Sequence, residues 1–432
     1  MIGFRIEGQR PLGGEITVSG SKNSALKILA ATLLTSEPCI IQNVPRIEDV
    51  FRLLELLESL GAKAVWSDSH TVRVEAKAIN PANISRDIIG RLRASVILMG
   101  ALLARSDEVS LPGPGGDQIG ARPLDAHLTA FRALGVEVVE TTGTYKLRAR
   151  PRGDLDFTMP EFSVTATENA ILASVLSSGN QTIIRCAAAD PSVQDLCWFL
   201  QSLGAQISGV GLHTLTIRGV ATLHPTIDYT VMPDPVEAGT LLCLAAAARS
   251  EVRIKNFPIF LYSELQKFRE ANVNFAMLDR RSFHGSSYEV VDIVTHPTTE
   301  LRAVRRVHGM PYPGFHDDLL PPFTVLLTQA TGTSLVHDWM YEGRLKFVEE
   351  LNKMGADIFI SDPHRCLVTG PRSLYGSHIT NYDIRTGASL FIAAIVASGT
   401  STVAPAYQLD RGYEALDQRL NRLGAKIERY EF

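Results

Sequence analysis

No stretch of this chain is apolar for long. The longest such runs, Leu241–Ala248 and Leu390–Ala397, fall far short of the roughly 20 residues that a membrane-spanning helix needs. Cysteine is scarce: Cys39, Cys186, Cys197, Cys243 and Cys366 are an odd number, and no two form a C-x-x-C pair. Their neighbours are mostly apolar, as in Leu242-Cys243-Leu244, which predicts buried, reduced thiols rather than a disulfide framework. There is no Gly-x-x-x-x-Gly-Lys-Ser/Thr loop and no recurring metal spacing among the histidines, so neither a P-loop nor a bound metal is expected. The opening MIGFRIEGQRPLGG has no basic segment followed by an apolar one, hence no secretory signal. Nor is charge of one sign in excess: Lys+Arg 42 against Asp+Glu 46 leaves a formal net charge of -4, unlike a chain built to coat nucleic-acid phosphates. These absences predict a soluble cytoplasmic protein with no nucleic-acid or membrane partner. What is present is apolar side chain, 45% of 432 residues, enough for large cores in two or three domains.

One pattern is written six times: an amphipathic run, then Leu-Gly-Ala or a near match, then an alternating apolar run. It appears at Leu60-Gly61-Ala62, Leu134-Gly135-Val136, Leu203-Gly204-Ala205, Ala271-Asn272-Val273, Met354-Gly355-Ala356 and Leu423-Gly424-Ala425, with spacings of 74, 69, 68, 83 and 69. Gly and Asn are the residues that tolerate a left-handed helix C-cap. The runs before them fit helices: Val50, Leu53, Leu54 and Leu57 share a face, as do Tyr413, Leu416, Leu420 and Leu423. Upstream of each lies a stretch that is apolar nearly all round and reads as a buried helix: Ser24–Leu34, Ala94–Ala104, Ala166–Leu176, Glu237–Ala247, Pro322–Gln329 and Ala388–Ala397. Six α+β units of about 70 residues should share cores rather than stand alone.

The segments that open the buried helices are polar. Lys22, Arg93 and Arg385 each stand at such an opening, where a cation opposes the helix dipole at a cost of a few tenths of a kcal/mol. The cost makes sense if an anion is shared between the cation and the backbone N–H groups, so three cations at equivalent repeat positions predict a phosphate or carboxylate site. Arg122 and Arg411 stand at the start of amphipathic helices, the first after the Gly/Pro loop Leu111–Gly116. Asp317 and Asp318 lie together in PGFHDDLLPP.

GSKNSALKILAA, LRASVILMGALLA, PGGDQIGARPLDAHL, SVTATENAILA, PDPVEAGT and LDRGYE resemble the motifs of the enolpyruvyltransferases, and the likeness runs from Phe4 to Arg429. It is nearest to the members that act on a UDP-sugar and more distant from the 5-enolpyruvylshikimate-3-phosphate synthases. The resemblance implies an α/β fold: an inside-out α/β barrel of two domains with three repeats each. Residues 22–232 would form one domain, residues 1–21 with 233–432 the other, with the active site in the cleft between them. It implies transfer of the enolpyruvyl group of phosphoenolpyruvate to the 3'-hydroxyl of UDP-N-acetylglucosamine with release of phosphate. That is the first committed step of peptidoglycan precursor synthesis, with the consequences for cell shape and division that wall synthesis carries. No cofactor is implied.

Residue by residue, Lys22 and Asn23 match the pair that contacts phosphoenolpyruvate, and Arg122 and Arg411 match arginines that hold its phosphate and carboxylate. Arg93, Arg385 and Arg344 match further active-site arginines. Asp318 matches the carboxylate facing the acceptor hydroxyl and is the candidate base, with Asp117 the candidate acid of the loop. Pro123, Leu124, Asp125 and Ala126 after Arg122, together with Glu161, Phe162, Ser163, Val164 and Met340, match segments that wrap the nucleotide sugar. Asp234, Glu237 and Asp49 match polar residues near the domain junction.

Asp117 stands where the family usually has a cysteine, the residue alkylated by the phosphonate epoxide fosfomycin, so an insensitive protein is implied. Glu161 and Thr165 also depart from the pattern, and Arg280–His308 is longer than usual and unlike the family. These differences leave open a paralogue with another nucleotide-sugar or nucleoside acceptor, and, at greater remove, a non-catalytic binding protein.

Overall fold

The structure, a computed structural model, describes residues 2–90, 92–113, 115, 123–150, 153–224, 228–284, 286 and 288–432. All six predicted caps lie at positive φ: Gly61 at 105°, Gly135 at 76°, Gly204 at 99°, Asn272 at 59°, Gly355 at 101° and Gly424 at 106°. Each follows an amphipathic helix, namely Glu48–Ser59, Asp125–Ala133, Pro191–Ser202, Tyr262–Glu270, Phe347–Lys353 and Leu416–Arg422. At the first, Gly61 N–H donates to Glu58 O at 2.9 Å and Ala62 N–H to Leu57 O at 3.0 Å, which satisfies carbonyls that the helix end would leave unpaired.

The apolar stretches form the buried helices Lys22–Ala31, Leu98–Leu103 (entered through a 3-10 turn, Arg93–Ile97), Val164–Ser174, Pro235–Ala247, Leu320–Thr328 and Ile384–Val396. Every residue of Pro235–Ala247 is buried, as the lack of a polar face requires. A fully buried Leu or Ile stabilises by about 1.5–3 kcal/mol over an exposed one, so these helices anchor the cores.

Among the described residues, six sheets accompany the six helix pairs. The repeat is clearest in Arg306–Gly309, helix Leu320–Thr328, Gly332–Asp338, helix Phe347–Lys353 and the hairpin Asp357–Asp362 with Arg365–Gly370. Its first two strands are parallel, with Arg306 opposite Leu335, and the buried helix is their crossover. The hairpin adds antiparallel, so the spatial order is first, second, fourth, third. Five sheets have four strands in this order; the sheet of Glu108–Pro112, Glu137–Thr141 and Thr144–Arg148 has three among the described residues.

Strands remote in sequence complete three of the sheets. Ile2–Glu7 is the fourth strand beside Thr400–Ala404 and Lys426–Glu431, and Gly13–Thr17 is the first strand, parallel to Glu251–Pro258. Tyr229–Thr230 likewise completes the sheet of Cys39–Gln42. The described residues accordingly divide into two compact units, residues 2–19 with 233–432, and residues 20–115 with 123–232, each around its own apolar core. No helix among the described residues is long and apolar enough to cross a membrane.

Two expectations need correction. The segment Arg280–His308 is not foreign to the design: it supplies part of the hairpin Phe275–Ser282 with Glu289–Thr295 and the first strand of the next repeat, Arg306–Gly309. The long spacing of 83 reflects that hairpin and its exit rather than an added element. Tyr413 does not belong to the last amphipathic helix, which begins at Leu416; Ala415, at φ 41°, interrupts the helical path, although Tyr413 is buried all the same.

Candidate active site

In the unit of residues 233–432, a short turn, Asp317–Leu319, leads into the buried helix Leu320–Thr328. His316 caps this turn: its Nδ1 accepts the Asp318 N–H at 3.1 Å, and its own N–H donates to the buried Glu264 carboxylate at 2.7 Å. The backbone of Asp318 is therefore held from two elements. Its carboxylate faces two guanidinium groups, Arg344 Nη1 at 2.7 Å from Oδ1 and Arg385 Nε at 2.9 Å from Oδ2. Burial alone would raise the Asp318 pKa, but Arg385 and Arg344 outweigh it and hold the group well below the usual carboxylate range.

Both arginines are set rigidly. Arg385 lies in the first turn of Ile384–Val396, where Asp383 Oδ1 accepts the Arg385 and Thr386 N–H groups at 2.9 and 3.0 Å. Its guanidinium lies 5.6 Å from the centre of the Tyr413 ring, and Tyr413 is joined to Thr240 by a 3.1 Å hydrogen bond. Arg385 Nη1 is buried and has no hydrogen-bond partner among the described residues. Arg344 stacks on Tyr341 at 4.6 Å and also meets Asp317 at 3.2 Å and Asp338 at 3.6 Å. Burial raises the Asp338 pKa although Arg344 opposes it. Asp338 Oδ1 accepts the N–H groups of Met340 and Tyr341, at 2.8 and 2.9 Å, and so fixes the start of the Arg344 segment. Arg411 is buried and donates to Gln408 at 3.0 Å.

In the unit of residues 20–232, Lys22 is the first residue of its helix, as its position in SGSKNSA requires, and Ser21 caps that helix by accepting the Ser24 N–H. The Lys22 ammonium meets Asp49 Oδ2 at 2.6 Å, with both side chains nearly buried. A protein carboxylate thus offsets the unfavourable dipole at Lys22, as Asp318 does at Arg385. The next unit of the repeat is tied in by two consecutive residues of Val164–Ser174 that point to different neighbours. Glu168 reaches Lys27 of the Lys22 helix at 3.2 Å; burial raises its pKa and Lys27 lowers it. Asn169 reaches the other way: its Oδ1 accepts the Gly100 N–H at 2.7 Å, and its Nδ2 donates to Val96 O at 3.1 Å and to His127 Nδ1 at 3.0 Å. A Cβ on Gly100 would stand 2.4 Å from Asn169 O, so this crossing admits only glycine. Arg93 opens the same segment and is half-buried.

The structure thus brings Asp318, Arg344 and Arg385 into one cluster, with Met340 attached through Asp338, and pairs Lys22 with Asp49. Asn23, next to Lys22, accepts from Lys27 through its carbonyl at 3.3 Å. Pro123 and Asp125 are exposed while Leu124 and Ala126 are buried. Glu161 and Phe162 are exposed just before the helix that Ser163 and Val164 begin, and Phe162 lies against the His213 ring at 4.6 Å. Asp117 and Arg122 lie outside the described residues. Sequence reasoning missed Asp338, His127 and Asn169. The last two had a signal, polar side chains at apolar positions of DAHLTAF and ATENAIL.

The model of the EPSP synthase (3-phosphoshikimate 1-carboxyvinyltransferase) family matches residues 6–420. A protein of Bradyrhizobium diazoefficiens named UDP-N-acetylglucosamine 1-carboxyvinyltransferase is 42% identical over 99% of this chain and 98% of its own length. A protein of the same name from Treponema denticola is 40% identical over 98% of each chain. Among solved structures, the enolpyruvyl transferase NikO from Streptomyces tendae superposes with a TM-score of 0.86 at 26% identity, over 99% of this chain and 98% of that one. An EPSP synthase from Acinetobacter baumannii, at 16% identity and a TM-score of 0.77 over all of both chains, shares the fold.

Proposed function

We propose, from the premise that the chain belongs to the EPSP synthase family, that it transfers the enolpyruvyl group of phosphoenolpyruvate to the 3'-hydroxyl of UDP-N-acetylglucosamine and releases phosphate. This would be the entry to peptidoglycan precursor synthesis. The observation that carries the reading is near-full-length identity to relatives of that name, 42% in the first. The cluster around Asp318 supports it with chemistry.

The reaction is an addition followed by an elimination. The acceptor oxygen bonds to C2 of phosphoenolpyruvate as its proton leaves, and a proton adds to the C3 methylene. Phosphate then leaves C2 and a proton leaves C3, which restores the double bond as an enol ether. Asp318 is ionised at neutral pH, and each of its oxygens keeps a lone pair beyond its one guanidinium contact, so it has a place for the acceptor proton. Arg385 Nη1 is a buried donor suited to a substrate oxyanion, and Arg411 is a further buried cation of the same unit. Asp117 is the proton donor to C3 in this reading. Four buried free cysteines fit a reducing, cytoplasmic setting.

Release of inorganic phosphate from phosphoenolpyruvate, measured with and without UDP-N-acetylglucosamine, tests the proposal. No release with this acceptor would refute it. The exposed Glu161 carboxylate beside Phe162 favours a second reading, another nucleotide-sugar acceptor, which phosphate release across such sugars would reveal.

A further inference from the structure

His316 is held at one end and holds at the other. Its backbone N–H donates to Glu264 Oε1 at 2.7 Å, and its ring Nδ1 accepts the Asp318 N–H at 3.1 Å. Glu264, in the first turn of the helix Tyr262–Glu270, is 3% exposed, and no Lys or Arg pairs with it among the described residues. What this buried carboxylate grips is the backbone of His316. The same Nδ1 also lies 3.3 Å from Asp317 Oδ1. One ring nitrogen therefore stands between a donor and an acceptor, and it serves only one of them at a time. Without a proton, Nδ1 has a lone pair for the Asp318 N–H. With a proton, Nδ1–H turns to the Asp317 carboxylate, and the Asp318 N–H loses its acceptor. Asparagine and serine are commoner caps, and neither titrates. The charges facing the ring are those of Asp317 and Asp318 on its own turn and Glu264 on the neighbouring helix, with Arg344 bonded to both aspartates beyond. Asp318 is held well below the usual carboxylate range, so its own protonation does not enter the range in which a histidine titrates. Burial pushes Glu264 up, but its protonated form still accepts the His316 N–H through its carbonyl oxygen.

We propose that His316 is a positioning residue for Asp318: Glu264 anchors its backbone, its neutral ring holds the turn that carries the base by accepting the Asp318 N–H, and protonation of Nδ1 loosens that turn. The inference rests on the functional reading above, in which Asp318 takes the acceptor proton. Arg344 and Arg385 fix the carboxylate end of Asp318, and the cap fixes its backbone end. Together they set the direction of the lone pair left for the acceptor, and a small misdirection of a reacting group is costly.

The test follows phosphate release by the full chain over the range in which a histidine titrates, about pH 5 to 8. Native kcat should fall toward the acid side. His316→Leu, which caps nothing, should lower kcat about tenfold or more at the alkaline end, with less than about a threefold change in either KM. His316→Asn, which caps with an oxygen that does not titrate, should recover most of that kcat and lose the acid-side fall. Glu264→Gln keeps an acceptor for the His316 N–H and should keep the fall, moved to lower pH because a nearby negative charge is gone. A residue that only stabilised the fold would leave the pH profile where it was. An acid-side fall that survives in His316→Asn would overturn the proposal, as would a native kcat that does not fall or a His316→Leu protein with native kcat. Nuclear magnetic resonance gives a readout without turnover, and one that stands if His316→Leu does not fold. The Asp318 amide of the native protein should shift with the same midpoint as the His316 ring, and should hold still over that range in His316→Asn. If no acceptor supports phosphate release, the functional reading alone falls. The spectra then decide the role of His316, with an Asp318 amide that ignores the His316 titration counting against it.

Discussion

Replacing Asp318 by asparagine separates its two consequences, chemical and structural. The change keeps the shape of the side chain but removes the charge that faces Arg344 and Arg385, which are 3% and 8% exposed. Breaking a buried ion pair from one side costs about 3–5 kcal/mol. Here the loss is smaller for three reasons. Arg344 keeps Asp317 at 3.2 Å and Asp338 at 3.6 Å, the Asp318 side chain is itself 19% exposed, and asparagine still offers one acceptor oxygen. A loss of about 2–3 kcal/mol follows, or about 4–12 °C in Tm for a unit of roughly two hundred residues. The folded pKa of Asp318 is depressed, so its stabilisation is complete above the unfolded value near 3.9 and is lost as pH falls through the lower folded value. Urea titrations of native and variant protein at pH 7, 5 and 4 should therefore differ by the same amount at 7 and 5 and begin to converge only at 4. Phosphate release should fall about 10²-fold or more while nucleotide-sugar binding persists. Native turnover in the variant would refute the role of base, and identical stability at pH 7 would refute the electrostatic account of the cluster.

Lys22→Ala should weaken phosphoenolpyruvate binding and also destabilise by about 1–3 kcal/mol, because Asp49 stays buried without its ammonium; adding Asp49→Ala should restore stability but not turnover, as read by thermal melts and phosphate release. Gly100→Ala should cost more than about 1–3 kcal/mol, since its Cβ would meet backbone rather than a flexible side chain; a melt within 1 °C of native would contradict the close approach. Fosfomycin should leave the native protein's mass unchanged, whereas Asp117→Cys should gain an adduct on that peptide. Burial pushes the Cys39 and Cys366 thiols up to about 12 and raises Cys197 and Cys243 as well, so a thiol reagent on folded protein should label Cys186 first.

What the chain carries locally could be read locally. Gly61, Gly135, Gly204, Asn272, Gly355 and Gly424 announced six helix ends because a left-handed cap admits few residue types, and all six adopt positive φ. The buried helices were legible because a segment without a polar face has nowhere to go but a core. Lys22 and Arg385 were legible as cations at helix starts, since their distance from the cap is a matter of counting. The tertiary structure alone decided what offsets them: Asp49 and Asp318 are 27 and 67 residues away in sequence, and no periodicity encodes such a partner. The placement of Ile2–Glu7 beside Thr400–Ala404, and of Gly13–Thr17 beside Glu251–Pro258, was also beyond local reasoning, because strand pairing rewards contacts that chain proximity does not prepare. Arg280–His308 looked foreign for the same reason: its strands make sense only once their partners are in place. Asp338, His127 and Asn169 passed unnoticed because one polar residue in an apolar run carries no information about what it faces. Only packing, which buries it and compels it to find partners, decides what it meets.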